Sequence, residues 1–150
     1  MPLNQPFEWN ADAAEKLYNL PGWSGGYFSV SDAGHVMVRP NRSGPEQAVD
    51  LFGISQELQR RGLDFPVLVR FPDLLLDRIN QLRVSFEKAM KTEGYSGEYK
   101  HVYPIKVNQQ ERVVYEVVNS QTPGIGLEAG SKPEMIAVLA LAPPGCVIVC

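Results

Sequence analysis

Between residues 65 and 150 the chain alternates short apolar runs with amphipathic helical patterns. Val67-Leu68-Val69 reads as a β-branched core strand. Pro72 and Asp73 open a helix with the apolar stripe Leu75, Ile79, Leu82, Phe86 and Met90, ending near Gly94. Residues 99–107 form the second expected strand and 110–119 the second helix. Residues 124–128 and 131–142 repeat the pattern. Pro143-Pro144-Gly145 stops the third helix, and residues 146–150 are a fourth strand. Parallel strands need a crossover between them, usually a helix, so this order is expected of a parallel α/β sheet. The last apolar strand has no helix after it to cover it, and we expect a piece of a longer chain. The 150 residues can bury a sizeable core. A complete (β/α)₈ barrel needs about 250.

Residues 1–64 have a different texture. Residues 11–20 read as one short helix. Residues 27–30 and 35–38, on either side of Asp32-Ala33-Gly34, read as a β-hairpin. Residues 39–45 form a polar loop in which Arg39 and Arg42 are expected to be solvated. Leu51, Ile54 and Leu58 share a helical face, and Gly62 after Arg60-Arg61 is the expected C-terminal stop. The glycines between Gly22 and Gly26 precede a strand, not a helix, so they read as a turn and not as a phosphate-binding loop. The expected organisation is an N-terminal hairpin and helix region over 1–64, then an α/β region over 65–150.

The net charge is −3 and Arg60-Arg61 is the one basic doublet, so no nucleic-acid partner is expected. Residues 1–6 lack the charged and apolar regions of a signal peptide. The longest apolar helical stretch, 135–142, is too short to cross a bilayer, and no membrane partner is expected. Cys146 and Cys150 would stand roughly 13 Å apart along a strand, beyond the reach of about 7 Å that a disulfide allows. They read as small buried thiols in a reducing compartment, which implies a cytoplasmic protein. His35 and His101 are the two histidines, so no Ser-His-Asp arrangement can be argued. Neither lies near the cysteines, whose spacing is not that of a zinc site, and metal ligands stay unassigned.

The chemistry concentrates in Tyr103-Pro104-Ile105-Lys106-Val107-Asn108-Gln109-Gln110. A lysine that ends a strand ordinarily reaches solvent. Here Ile105 and Val107 are expected to pack against helices, which leaves Lys106 on the opposite face at the C-terminal end of a parallel strand. Burial there would favour the neutral amine that imine formation needs. Glu128 ends the next strand and shares that edge. It could balance a protonated imine, or bond backbone amides at the following helix. Asn108 with Glu111 reads as a helix N-cap, and Ser131-Lys132-Pro133-Glu134 as a capping box.

These segments resemble the biosynthetic arginine decarboxylase family, specifically its N-terminal part. The resemblance rests on the stretch around Lys106 and on Gly126-Leu127-Glu128-Ala129-Gly130-Ser131-Lys132-Pro133-Glu134. It extends to Gly25-Gly26-Tyr27-Phe28, Gly34-His35-Val36, Val38-Arg39-Pro40, Arg61-Gly62-Leu63 and Val69-Arg70-Phe71. It implies an incomplete pyridoxal-phosphate-binding (β/α)₈ barrel of the alanine racemase-like type, with residues 65–70 passing into it as a strand from a β-domain. It implies Lys106 as the Schiff-base lysine and adds Mg²⁺ as a second cofactor. The implied reaction turns L-arginine into agmatine and CO₂, as arginine catabolism that feeds polyamine and spermidine synthesis. A homo-oligomer is expected of the full-length form, and the fragment alone is expected to be inactive. The phosphate loop, the partner of the pyridine nitrogen and the arginine-reading residues are expected beyond Cys150. Two other readings remain open. One is a decarboxylase of the ornithine or diaminopimelate type on the same barrel. The other is a non-catalytic pyridoxal-phosphate-binding protein.

Overall fold

The structure is a computed structural model and describes residues 9–40, 42, 47–120 and 122–150. The readings of residues 1–6, and of 41 and 43–45 in the polar loop, lie outside the described residues. The chain divides into two compact units, Met1–Arg70 and Phe71–Cys150.

In the first unit, α1 (Ala11–Leu17) is capped by Asn10, whose Oδ1 accepts the Ala13 N–H at 2.8 Å. The single helix expected over 11–20 breaks at Tyr18 and Asn19, and a one-turn α2 (Leu20–Trp23) follows. Pro21 is the cause: it cannot donate to a preceding turn, but it fits the first turn of a new helix. The hairpin forms as expected. β1 (Phe28–Val30) and β2 (Val36–Val38) pair antiparallel, Phe28 opposite Val38. A third strand missed in the sequence, β3 (Val49–Asp50), joins the other edge of β2. It is two residues long and leads straight into α3 (Leu51–Arg60). Gly62 follows the C-cap Arg61 at φ +76°, the left-handed position that suits glycine. Arg42 is held over the Tyr27 ring, 5.7 Å from its centroid, so it is not simply solvated.

Val67-Leu68-Val69 form no strand, against expectation; all three side chains are exposed. β-branched composition favours an extended chain, but a strand also needs a ladder partner for its amides and carbonyls. None is present among the described residues.

In the second unit α4 (Pro72–Thr92) runs 21 residues, with proline in its first turn. Of its expected stripe only Ile79 is buried; Leu82 and Phe86 are exposed, and the Phe86 ring stacks on Tyr99 at 4.6 Å. Then follow β4 (His101–Pro104), a 3₁₀ turn (Ile105–Val107), α5 (Glu111–Val118), β5 (Ile125–Glu128), α6 (Lys132–Leu141) and β6 (Val147–Val149). The strands lie in the order β4-β5-β6 and both pairs are parallel. This is the mixed α/β unit with a parallel sheet that the alternation implied.

One sheet face carries Tyr103, Leu127 and Ile148. These pack with Ile105, Ala129, Val114 and Val118 of α5, and Val138 of α6, into one apolar core. Full burial of side chains such as Leu127 and Val138 contributes about 1.5–3 kcal/mol each. The cysteines are free, but they are less buried than expected: Cys146 is half-buried and Cys150 exposed. No helix among the described residues is long and apolar enough to cross a membrane.

Candidate functional site

Lys106 does not end a strand. The expected strand over 99–107 contracts to His101–Pro104, and the chain then tightens into the 3₁₀ turn that holds Lys106. The ladder stops because β5 stops: Pro104 pairs with Glu128, the last residue of its strand. Ile105 faces inward as alternation predicts and is buried in the core at 1% exposure. Val107, expected against a helix, is instead 69% exposed. A 3₁₀ turn has three residues per turn, not the two of a strand, so residue 107 no longer follows residue 105 inward.

The shelter expected around Lys106 is also not formed by the described residues. Its side chain is exposed, and its ammonium has no hydrogen bond or ion pair among them. The amine is therefore accessible and uncommitted, at the C-terminal edge of a parallel sheet.

Glu128 is at that same edge, one strand away, and is partly buried. Its alternative role, bonding the amides of the next helix, is filled by another residue. Glu134 Oε2 accepts the Gly130 N–H at 2.7 Å, and Ser131 Oγ accepts the Glu134 N–H at 3.4 Å. That is the capping box the sequence implied. The Glu128 carboxylate makes no hydrogen bond among the described residues; its Oε1 lies near Gly130, 3.8 Å from where a Cβ would stand.

Asn108 is not the N-cap of α5. Gln110 is, with no side-chain cap bond. Asn108 Oδ1 accepts the Gln110 N–H at 3.0 Å, an Asx turn one step before the helix. The Asn108 carbonyl in turn accepts the Tyr103 hydroxyl at 3.2 Å. Sequence reading missed this second bond. Its one signal was an aromatic hydroxyl three residues before the lysine.

The first unit holds an apolar cavity of about 620 Å³, lined by Trp9, Tyr18, Leu20, Trp23, Phe28 and Val36 among others. Among the described residues no charged side chain lines it, so they offer it no amine or carboxylate for catalysis. His35, expected to be a plain hairpin residue, pairs instead with Asp50, Nδ1 to Oδ2 at 2.8 Å. No group of three or more His, Cys, Asp or Glu side chains able to hold a metal ion occurs among the described residues.

A protein from Alkalilimnicola ehrlichii is 50% identical over 143 residues, which is 95% of this chain and 23% of that protein. One from Chromobacterium violaceum is 50% identical over 142 residues, 95% of this chain and 22% of its own length. Both are named biosynthetic arginine decarboxylase. The chain's relatives are biosynthetic arginine decarboxylases. The crystal structure of biosynthetic arginine decarboxylase SpeA from Campylobacter jejuni agrees. It superposes with a TM-score of 0.77 at 33% identity, covering 87% of this chain and 21% of that one. No family model matches. The resemblance to biosynthetic arginine decarboxylases carried by the stretches around Lys106 and Glu128 is borne out. The chain spans between a fifth and a quarter of the length of these relatives.

Proposed function

We propose that this chain is an N-terminal segment of a pyridoxal-phosphate-dependent arginine decarboxylase, and that Lys106 is the lysine that binds the cofactor. Residues 71–150 would then be the opening strands and helices of an alanine racemase-like barrel, with residues 1–70 as an added domain. The similarity to proteins of that name over 95% of the chain carries this reading. Lys106 meets the first requirement of the cofactor, a reachable amine without a competing partner. Its exposure means that the shelter for the reaction would come from chain outside these residues.

When bound, pyridoxal phosphate supplies a ring that accepts the electron pair left as CO₂ departs. Lys106 would hold that group through Nζ and release it to the α-amine of arginine. It would take the group back once agmatine has formed. Glu128, on the same edge with its carboxylate uncommitted, could accept a hydrogen bond from a positively charged nitrogen there. The ordinary capping explanation for Glu128 is weakened, because Glu134 does that work. No residue here is assigned to Mg²⁺. The word biosynthetic in the relatives' names favours supply of polyamine precursors over arginine catabolism. It is also their names, and not a described contact, that select arginine over ornithine or diaminopimelate and a decarboxylase over a cofactor carrier.

The test is Lys106→Ala in the full-length protein. Agmatine formation from arginine should fall to background, with loss of the bound-cofactor absorbance. Parental turnover in that variant would refute the assignment.

A further inference from the structure

We propose that Tyr103 is a positioning residue for Lys106: its hydroxyl, bonded to the Asn108 carbonyl, closes the turn that presents the amine. This rests on the reading of Lys106 as the cofactor-binding lysine. The turn Ile105–Val107 has no side-chain cap bond at its N-terminal end, Pro104. Pro104 before it has no N–H to give, and Val107 projects into solvent. Two anchors remain. Ile105 is buried in the core and fixes the way in. The Tyr103 hydroxyl, donating to Asn108 O at 3.2 Å, fixes the way out. The Asn108 side chain is already used on the Gln110 amide, so its carbonyl is the free point by which the exit can be tied down.

Lys106 hangs between these anchors on a flexible stem. Its own contacts do not set where Nζ sits, so the backbone of the turn must. Small misplacements of a reacting group are costly in rate even when binding is intact. Burial raises the Tyr103 phenol above its usual 10.0, which keeps it a donor through the neutral range. The bond reaches no reacting atom, so Tyr103 acts through the lysine.

The experiment uses the full-length protein with Tyr103→Phe, which removes one oxygen and little volume. Turnover should drop about tenfold or more while KM for arginine stays within about twofold. A second readout does not involve turnover. The cofactor is stripped, pyridoxal phosphate is added back, and the Lys106 linkage, formed with loss of water, is trapped by borohydride over time. Mass spectrometry then reads labelling at Lys106, and at exposed Lys132 with a general amine reagent. Labelling at Lys106 should slow by a similar factor and that at Lys132 should not change. Tyr103→4-aminophenylalanine restores a donor at the same place and should recover the parental rate at Lys106. Parental labelling in Tyr103→Phe, or no recovery with the aminophenyl side chain, overturns the positioning role alone. A parent protein that never labels at Lys106 overturns the cofactor assignment and this role with it.

Discussion

Pro104 and Glu128 face each other at the final register position of the parallel β4–β5 pair. Both strands end there, so one edge of the sheet receives the turn bearing Lys106 and the carboxylate of Glu128 together. Sheet pairing therefore puts both candidate residues at one end of the sheet. In open and closed α/β sheets alike, the C-terminal strand edge is where ligands are bound.

The close fit of β5 against β6 makes Gly126 a sensitive position. A Cβ at Gly126 would stand 2.6 Å from the Val147 carbonyl oxygen and 2.9 Å from the Val147 Cβ. Those atoms belong to the neighbouring strand and cannot swing away. Gly126→Ala should cost about 1–3 kcal/mol by overpacking, read as a lower denaturation midpoint of the full-length protein. A parental midpoint would contradict this packing.

Asp50 joins two pieces of the first unit. Its Oδ1 accepts the Phe52 and Gly53 amides at the start of α3, and its Oδ2 pairs with His35. Asp50→Asn keeps a capping acceptor and should disturb α3 less than Asp50→Ala. Hydrogen exchange at the Phe52 and Gly53 amides should accelerate most in Asp50→Ala. Equal acceleration in both variants would show that the contact with His35, not the cap, holds the helix start. The His35 hydrogen bond, then the Gly53 amide, lower the Asp50 carboxyl below 3.8. The folded form thus binds its proton less tightly than the unfolded form. This stabilisation is complete above about pH 3.8 and is lost as pH falls through the lower folded value.

His101 gives a second pH response, nearer neutrality. Burial lowers its imidazole below the ordinary 6.5. Between the folded value and 6.5 the unfolded chain binds more protons, so stability rises with pH across that window. It should be complete above about 6.5 and fall on acidification. Thermal unfolding of the full-length protein between about pH 5 and 7 reads this slope, and His101→Gln should flatten it. An unchanged slope in His101→Gln would assign it to other groups.

The α/β unit was legible because its signals are local. Pro72, Ser131 with Glu134, and Pro143-Pro144 punctuate the helices, and the short apolar runs before Glu128 and Cys150 read as strands. The misses are places where a partner decides. Val67-Leu68-Val69 has strand composition but no neighbour to pair with among the described residues. β3 has a neighbour but only two residues, too few to leave a pattern. At the site, the face of Ile105 followed from alternation, whereas Lys106 and Val107 did not, because the ladder ends at Pro104 for lack of further β5. The bond from Tyr103 to Asn108 joins a side chain to a backbone carbonyl, and no residue pattern encodes it.

The most direct measurement is borohydride reduction of the full-length protein as purified, followed by peptide mapping. The pyridoxyl group should appear on the peptide that contains Lys106 and on no other. A pyridoxyl group on Lys100, Lys132 or any other lysine, with Lys106 unmodified, would contradict the assignment.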